Sequence, residues 1–347
     1  MFVYIGGISS PDVTGDISTQ TLAVLERARA ALERAGSSLG QALSVTVFLK
    51  SAGDFQAMND VYARFWAKDY PTRTTVVTEP VTSGTLVAMS IVAAAAGAER
   101  EVVHPPDWLR SPSPYSYAIK SGDTVFLSGL VSRNGRDNSA VSGDVATQTR
   151  VILDNAGELL AAAGLSHAHI ASSRIYLPEV ASFAAMNDGY RPYFPSQPPA
   201  RATVRADLAG RQYSVEITFV ASASPRRALA SSAYPNLPLS SGIVAGRTVY
   251  LSGMLGFDDS NKTDAAAQTR ATLAKLGRSL AEAGASKSSV VEAIVYVTDL
   301  KFLPEVDREY AEFFGSHAPA RTNVICGLMA ADGLVEIMLS AELPSSP

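Results

Sequence analysis

Two arginine–glutamate pairs with the same spacing could carry chemistry in this chain of 347 residues. In each pair the glutamate follows the arginine by 15 positions, and the pairs are Arg201 with Glu216 and Arg321 with Glu336. A guanidinium is a planar fork that can bind a carboxylate through two hydrogen bonds, and a nearby carboxyl group can order or activate a water molecule. The pairs are therefore either a site for a substrate with a carboxylate or structural ion pairs, which contribute little at a sheet end.

The spacing also predicts how each pair is brought together. If the strands that carry Arg201 and Glu216 form a hairpin about a loop at Asp207–Gly210, the two residues lie opposite each other. Cross-strand partners are about 5 Å apart at Cβ and share one face of the sheet. A third arginine, Arg73, has Ala88 at the same distance, so the first pair lacks its carboxylate.

The three arginines mark an internal triplication. Each lies in the motif Pro-x-Arg-x-x-Val, and the residues found 14 positions before them are Asn59, Asn187 and Asp307. A helix that ends in Ala-Gly precedes both landmarks, and every landmark is offset by 128 residues and then by 120 residues. A repeat of this length is a domain rather than a solenoid unit.

The repeat divides the chain into domains at residues 1–98, 99–225 and 226–347. The linkers are expected in the Pro- and Ser-rich stretches near Glu99–Ser113 and Ser222–Pro238. The first copy begins directly at its second predicted strand, so its first strand is missing. Either another segment covers that edge, because an open edge invites aggregation, or the true start lies upstream.

Each copy has the same predicted secondary structure. The apolar spacing of its first helix buries one face, and the glycine after that helix suits a left-handed conformation. The strands that follow are predicted at Ser44–Leu49, Ser172–Leu177 and Ala293–Val297. A second helix carries aromatic residues, among them Tyr62 and Tyr190, which helical spacing assigns to the core.

Composition and charge exclude several classes of function. A net charge of −4 argues against binding to nucleic acid, which needs a basic surface. No apolar run is long enough to span a membrane, and the N-terminus lacks the pattern of a signal peptide. The single cysteine, Cys326, and four scattered histidines make neither an internal disulfide nor a convincing metal site. We therefore expect a cytoplasmic protein without a metal.

The motifs resemble those of the Rid family, also called YjgF or reactive intermediate deaminase. The resemblance covers essentially the whole chain, three times, and is carried by Pro-Ala-Arg201-Ala-Thr-Val with Val-Glu216-Ile and by Pro-Ala-Arg321-Thr-Asn-Val with Val-Glu336-Ile. Members of the family are α+β domains similar to chorismate mutase, each a mixed sheet with two helices on one face. They assemble as homotrimers with a cleft between neighbouring subunits. The resemblance thus implies a trimer fused into one chain, that is, a monomeric pseudo-trimer.

The resemblance also implies roles for individual residues. Those implied to be catalytic are Arg201, Glu216, Tyr115, Arg321 and Glu336. Those implied to bind substrate are Ser128, Gly129, Asn187, Ser252, Gly253, Asn59 and Arg73. The arginines would hold the substrate carboxylate with help from the Gly129 amide, the glutamates would polarise a water, and the tyrosine would orient the substrate. The second copy keeps every member, but each cleft draws on two neighbouring domains, so the sequence does not say which tyrosine or asparagine faces which arginine. We expect one or two competent sites around Arg201 and Arg321 and a defunct one at Arg73.

The resemblance implies hydrolysis of 2-imino or enamino acids to 2-oxo acids and ammonia, without a cofactor. The expected partner is a small molecule with a carboxylate, and neither nucleic acid nor a membrane. Two alternatives stay open because site residues are missing from two copies: a non-catalytic protein that binds 2-oxo acids or acts as a scaffold, and a specialised catabolic hydrolase or deaminase. Ribonuclease activity, also attributed to the family, is disfavoured by the acidic balance.

Overall fold

Three mixed β-sheets follow one another in the part of the chain that the structure describes, which is residues 2–230, 234 and 236–344. The structure is a computed structural model. Two helices pack on one face of each sheet and enclose a separate hydrophobic core. In every sheet the strands on either side of the second helix are parallel, and the other pairs are antiparallel. This is the α+β fold that the sequence predicts three times.

The elements of the first domain are, in chain order, β1 (Phe2–Ser9), α1 (Ile17–Arg34), β2 (Ala42–Leu49), α2 (Phe55–Tyr62), β3 (Thr72–Val77) and β4 (Val87–Ala94). The strands are ordered β1-β4-β2-β3. The elements of the second domain are β5 (Glu101–Val103), β6 (Ala118–Ser121), β7 (Thr124–Leu127), α3 (Val145–Ala162), β8 (Ile170–Leu177), α4 (Phe183–Tyr190), β9 (Ala200–Arg205), β10 (Asp207–Leu208) and β11 (Glu216–Ser222). The order of its sheet is β9-β8-β11-β7-β6-β5.

The elements of the third domain are β12 (Arg226–Ala228), β13 (Gly242–Ala245), β14 (Thr248–Leu251), β15 (Met254–Leu255), α5 (Ala265–Ala283), β16 (Val290–Val297), α6 (Leu303–Phe314), β17 (Ala320–Ile325), β18 (Gly327–Leu328) and β19 (Val335–Glu342). The order of its sheet is β12-β13-β14-β19-β16-β17, and β15 also pairs with β19. The strands β2, β8 and β16 begin two or three residues earlier than predicted.

The first helix of each domain ends as the sequence predicts. The glycines after the Ala-Gly ends have φ of +74°, +77° and +82° and are Gly36, Gly164 and Gly284. A residue with a Cβ is strained in this left-handed region. At the other end an aspartate side chain accepts a hydrogen bond from the first turn, and these caps are Asp16, Asp144 and Asp264.

Short strands join the three sheets head to tail. β10 leaves the second domain and pairs with β3 of the first domain. β18 of the third domain makes the equivalent pairing with β9 of the second domain. Glu79 of the first domain forms a bridge with Ile325 of the third. The pairings therefore run from each domain to the next and close a ring.

The predicted hairpin between the strands of Arg201 and Glu216 is wrong. β8 lies between β9, which carries Arg201, and β11, which begins at Glu216. Since β8 and β9 are parallel, the chain must cross over through α4 between them, and β9 takes the outer place in the sheet. The segment expected to be the hairpin loop, Asp207–Gly210, instead supplies β10 and reaches the first domain.

The sheet faces away from the helices pack together at the centre of the ring. One buried cluster there contains side chains from all three domains, including Phe48, Tyr176 and Tyr296 at equivalent places in β2, β8 and β16. Leu208 of β10 and Leu328 of β18 belong to the same cluster. The joining strands are therefore fixed by apolar burial as well as by backbone hydrogen bonds.

Each predicted linker contributes a strand to a sheet. β5 pairs with β6 and β12 pairs with β13. Nothing equivalent covers the first domain: within the described residues no strand lies on the outer edge of β1. Gly6 of β1 lies so close to the neighbouring domain that a Cβ there would be 2.3 Å from the carbonyl oxygen of Arg321.

Truncation of Leu208 is expected to destabilise the ring. The side chain is 4% exposed, and removal of a buried leucine side chain costs about 2–5 kcal/mol. The control is Leu22→Ala on α1, where the leucine is 48% exposed and its loss should cost little. Thermal unfolding followed by circular dichroism should show a clear fall in the midpoint for Leu208→Ala alone. Equal midpoints for the two variants would contradict anchoring of β10 by the central cluster.

Candidate active site

The first cleft lies between the first and second domains and has a volume of about 180 Å³. The first domain contributes Phe55, Arg73 and Thr75 to it. The second domain contributes residues from β11 and from three loops, including Tyr115, Gly129, Arg133, Tyr213 and Glu216. An arginine from one domain and a glutamate from the next therefore share one pocket.

Arg73 is a buried cation that forms no ion pair with the described residues. It is 4% exposed, and its Nη1 has no hydrogen-bond partner in the described part of the chain. Aromatic rings surround the guanidinium, with ring centroids 5.5, 5.0 and 5.5 Å from its carbon for Phe55, Tyr62 and Tyr115. Burial lowers the pKa of Arg73 from its ordinary value, although a guanidinium stays charged. The unpartnered Nη1 of such a guanidinium is a donor that suits an anion.

Glu216 is the second ionisable group of the first cleft. Its Oε1 accepts a hydrogen bond from the backbone amide of Thr75 at 3.4 Å. Burial raises the pKa of this carboxyl to about 8, against the opposing effects of that amide and of Arg73. The raised pKa favours the neutral form of this carboxyl group, and among the described residues Glu216 forms no ion pair with Arg73. The pocket therefore holds a guanidinium and a buried carboxyl group.

Ser128 and Gly129 hold Arg73 by its backbone. The Ser128 hydroxyl accepts from the Arg73 amide at 2.9 Å and donates to the Ser116 carbonyl at 2.7 Å, and the Gly129 amide donates to the Arg73 carbonyl at 3.0 Å. The hydrogen bonds expected to reach a substrate are thus used between domains. Gly129 also faces the acid, since a Cβ there would lie 1.9 Å from Oε1 of Glu216.

The second cleft repeats this arrangement between the second and third domains, with a volume of about 240 Å³. Arg201 is 2% exposed, its Nε and Nη1 have no partner among the described residues, and burial lowers its pKa to about 10. Burial also raises the pKa of Glu336 to about 8. The Ser252 hydroxyl accepts a hydrogen bond from the Arg201 amide at 2.8 Å, and the Gly253 amide donates one to the Arg201 carbonyl at 3.1 Å.

The third cleft lies between the third and first domains, with a volume of about 190 Å³, and it lacks most of these features. Arg321 forms an ion pair with Asp307 of its own domain, at 2.7 Å between Nη2 and Oδ1. Ala88 stands where the other clefts have the glutamate. Gly6 replaces the serine, and the close approach of its backbone leaves no room for a side chain. Arg321 thus has a carboxylate of its own domain beside it, although its Nε and Nη2 make no hydrogen bond within the described residues. Glu79 and Lys50 also line this cleft, but no described acid stands at the position of Glu216 and Glu336.

The structure corrects the expected grouping of the site residues. Arg201 shares its cleft with Glu336 and Arg73 shares its cleft with Glu216, so each pair spans two domains. Arg73, expected in a defunct site, lies beside Tyr115, Ser128, Gly129 and Glu216 of the second copy. Arg321 forms no ion pair with the next domain among the described residues. The cause is the ring, which places the arginine of each domain against the last long strand of the following domain.

Asn59 and Asn187 lie at the helical position that Asp307 occupies in the third domain. Both are buried, and their side-chain oxygens have no hydrogen-bond partner among the described residues. Asn187 donates from Nδ2 to the Phe183 carbonyl at 2.9 Å. A neutral amide at this position leaves the arginine without a carboxylate of its own, whereas Asp307 supplies one.

Several lining residues were not found from the sequence. Phe55 and Phe183 cover the buried arginines at the start of α2 and α4. Arg133 enters the first cleft from the loop after β7, and Tyr234 enters the second from the third domain's linker. No signal in the sequence indicated Arg133, because its counterpart five positions after Ser252, Phe257, has neither a charge nor a polar group.

Three comparisons with known proteins agree with the triplication. The family model described as Endoribonuclease L-PSP matches residues 1–95, 107–223 and 230–343. A RutC family protein from Sulfurisphaera tokodaii is 38% identical over 109 residues, which are 31% of this chain and 87% of that protein. Reactive Intermediate Deaminase A, chloroplastic, from Arabidopsis thaliana is 33% identical over 132 residues, which are 38% of this chain and 71% of that protein.

A solved structure shares the whole architecture. A chorismatase superimposes with a TM-score of 0.60 over 98% of both chains, at 15% sequence identity, which is a likeness of fold alone. In the described residues no helix has the length and apolarity to cross a membrane. The same residues contain no cluster of histidine, cysteine, aspartate and glutamate that could hold a metal ion.

The two buried glutamates predict a pH-dependent stability. Their folded pKa of about 8 lies above the ordinary value of 4.5, so the folded state binds their protons more tightly than the unfolded state. Their contribution is complete below about pH 4.5 and is lost as the pH rises through about 8. The thermal midpoint should therefore fall across this window, and the fall should be smaller in the Glu216→Gln/Glu336→Gln variant. Parallel profiles for the two proteins would contradict the raised pKa values.

Proposed function

The chain belongs to the endoribonuclease L-PSP family, the Rid or YjgF proteins, and on this premise we propose that it hydrolyses 2-imino and enamino acids to 2-oxo acids and ammonia. The observation that carries the proposal is a buried guanidinium, with no ion pair among the described residues, in the same cleft as a buried glutamate of the next domain, in the first and second clefts. Burial raises the pKa of both glutamates. The name of the relative from Arabidopsis thaliana refers to deamination of reactive intermediates. The family description names a ribonuclease, but a net charge of −4 does not favour a polyanion.

Substrate binding follows from the charge of the cleft. The carboxylate of an imino acid would pair with the guanidinium of Arg73, whose Nη1 has no partner among the described residues. Desolvation strengthens this pairing, because the interaction of opposite charges grows as the local dielectric constant falls. The Tyr115 ring stands against the same guanidinium and would bound the substrate on one side. The imine carbon is then held near Glu216.

The chemical steps require one proton shuttle and one water. Protonated Glu216 gives its proton to the imine nitrogen, which makes the carbon more electrophilic. Water then adds to that carbon and returns a proton to the Glu216 carboxylate, giving a carbinolamine. Glu216 next protonates the amine and takes the hydroxyl proton as the carbon–nitrogen bond breaks, which releases ammonia and the 2-oxo acid. Glu216 ends protonated, as it began, so a carboxyl with a pKa near the working pH suits both directions of transfer.

We place these reactions in the first and second clefts and not in the third. Arg201 and Glu336 would act in the second cleft as Arg73 and Glu216 do in the first. In the third, Asp307 would compete with the substrate carboxylate for Arg321. We also propose that the chain works as a monomer, because the domain junctions are made within one polypeptide.

Substitution of the three arginines should separate active from inactive clefts. Imines made in situ by an amino-acid oxidase are trapped by semicarbazide, and the protein should reduce the trapped fraction. Arg73→Ala and Arg201→Ala should each lower this activity, since each removes one carboxylate receptor, and the double variant should leave only spontaneous hydrolysis. Arg321→Ala should match the wild type. Trapping that is unchanged by the wild-type protein, across imines of several amino acids, would refute the proposed function.

A further inference from the structure

The first and second clefts each contain one arginine and one glutamate at equivalent positions, but the residues around these pairs differ. Three residues of the first cleft wall carry a hydroxyl group or a charge, and they are Ser113, Tyr115 and Arg133. The residues 124 positions later in the third domain, which line the second cleft, are Leu237, Leu239 and Phe257. The same reacting groups therefore face walls of opposite polarity.

Arg133 gives the first cleft a second guanidinium. The residue is half-buried, and its Nε and Nη2 donate to the Tyr213 hydroxyl at 3.3 and 3.2 Å. No carboxylate of the described residues forms an ion pair with it. The equivalent of Tyr213 in the third domain is Gly333, so the second cleft lacks this anchor as well as the charge. Two cations in a pocket of about 180 Å³ fit a substrate with two negative groups.

The second cleft has one guanidinium and an apolar wall. In addition to its leucines and Phe257, Met329 replaces Ala209 of the first cleft. The ring of Tyr234 lines the same pocket, and its hydroxyl accepts from the Leu255 amide at 3.2 Å. This wall would bury an apolar side chain, at about 25 cal/mol for each Å² removed from water. Its described lining residues include no second cation for another carboxylate, and the Thr203 hydroxyl is a neutral donor. A charged side chain there would lose its hydration without a partner.

We propose that the two clefts divide the substrates by side chain. The first takes imino acids with a second carboxylate, such as those derived from glutamate or aspartate. The second takes imino acids with branched or aromatic apolar side chains. This assignment rests on the proposed deamination for its chemistry, but the selectivity resides in the walls and applies equally to the binding of the 2-oxo acid products.

Binding of the products tests the division without turnover. Isothermal titration of the full chain with 2-oxoglutarate should give a site that Arg73→Ala removes, and titration with 4-methyl-2-oxopentanoate should give a site that Arg201→Ala removes. Arg133→Gln should weaken 2-oxoglutarate about tenfold or more, as expected for the loss of a charged hydrogen bond, and leave the apolar acid unchanged. The control for removal of one positive charge is Arg34→Gln on the exposed end of α1, which should change neither affinity.

The opposite substitution keeps the test independent of a folding defect. Phe257→Arg should weaken 4-methyl-2-oxopentanoate and strengthen 2-oxoglutarate at the second cleft, measured in the Arg73→Ala background. Equal effects of Arg133→Gln on both acids, or loss of both acids with one arginine, would overturn the division. The same variants are then assayed with imines generated from glutamate and from leucine. Selective binding without turnover would refute the deaminase activity and support the division of substrates between the clefts. Turnover without selectivity would support the deaminase activity and refute the division.

Discussion

The burial of a guanidinium without a carboxylate partner is the constraint on which the rest of the structure depends. Removing such a charge from water costs several kcal/mol when nothing compensates it, so its position must be fixed by other contacts. At Arg73 the next domain supplies two of them, because consecutive residues, Ser128 and Gly129, bind the amide and the carbonyl of the arginine itself. Aromatic rings cover the guanidinium face, and the closed ring of sheets keeps the two domains in register. Backbone hydrogen bonds across the junction thus hold the Arg73 residue in place.

The third junction shows what happens when this constraint is relaxed. Arg321 has a carboxylate within its own domain, at Asp307, and the other parts of the arrangement have changed with it. The serine is replaced by Gly6 and the buried acid by Ala88. The Arg321 side chain is also more exposed than those of Arg73 and Arg201, at 19%. The three junctions therefore differ in a coordinated way: the serine and the buried glutamate occur together at two of them, and both are replaced at the third.

The sequence predicts the local structure well and the partners poorly. The helices, their left-handed glycine ends and the triplication follow from periodicity and fixed offsets, which depend on neighbouring residues. The constant spacing of Arg201 and Glu216 implied direct pairing, but the order of strands in a sheet is a non-local property, and β8 separates them. Which acid faces which arginine depends on contacts between domains. The second cation, Arg133, carries no local signal and becomes visible only beside Phe257 of another copy.

The closed ring has a consequence for dilution and for mutation. Because each cleft is assembled from two domains of one polypeptide, its formation is intramolecular and does not depend on protein concentration. An assembly of separate identical subunits would dissociate on dilution and lose its sites, and any substitution in the subunit would appear in every site. Here a substitution enters one cleft per molecule, so Asp307 could arise beside one arginine while the other two junctions kept their composition. Covalent linkage thereby allows sites that began as copies to change in sequence independently.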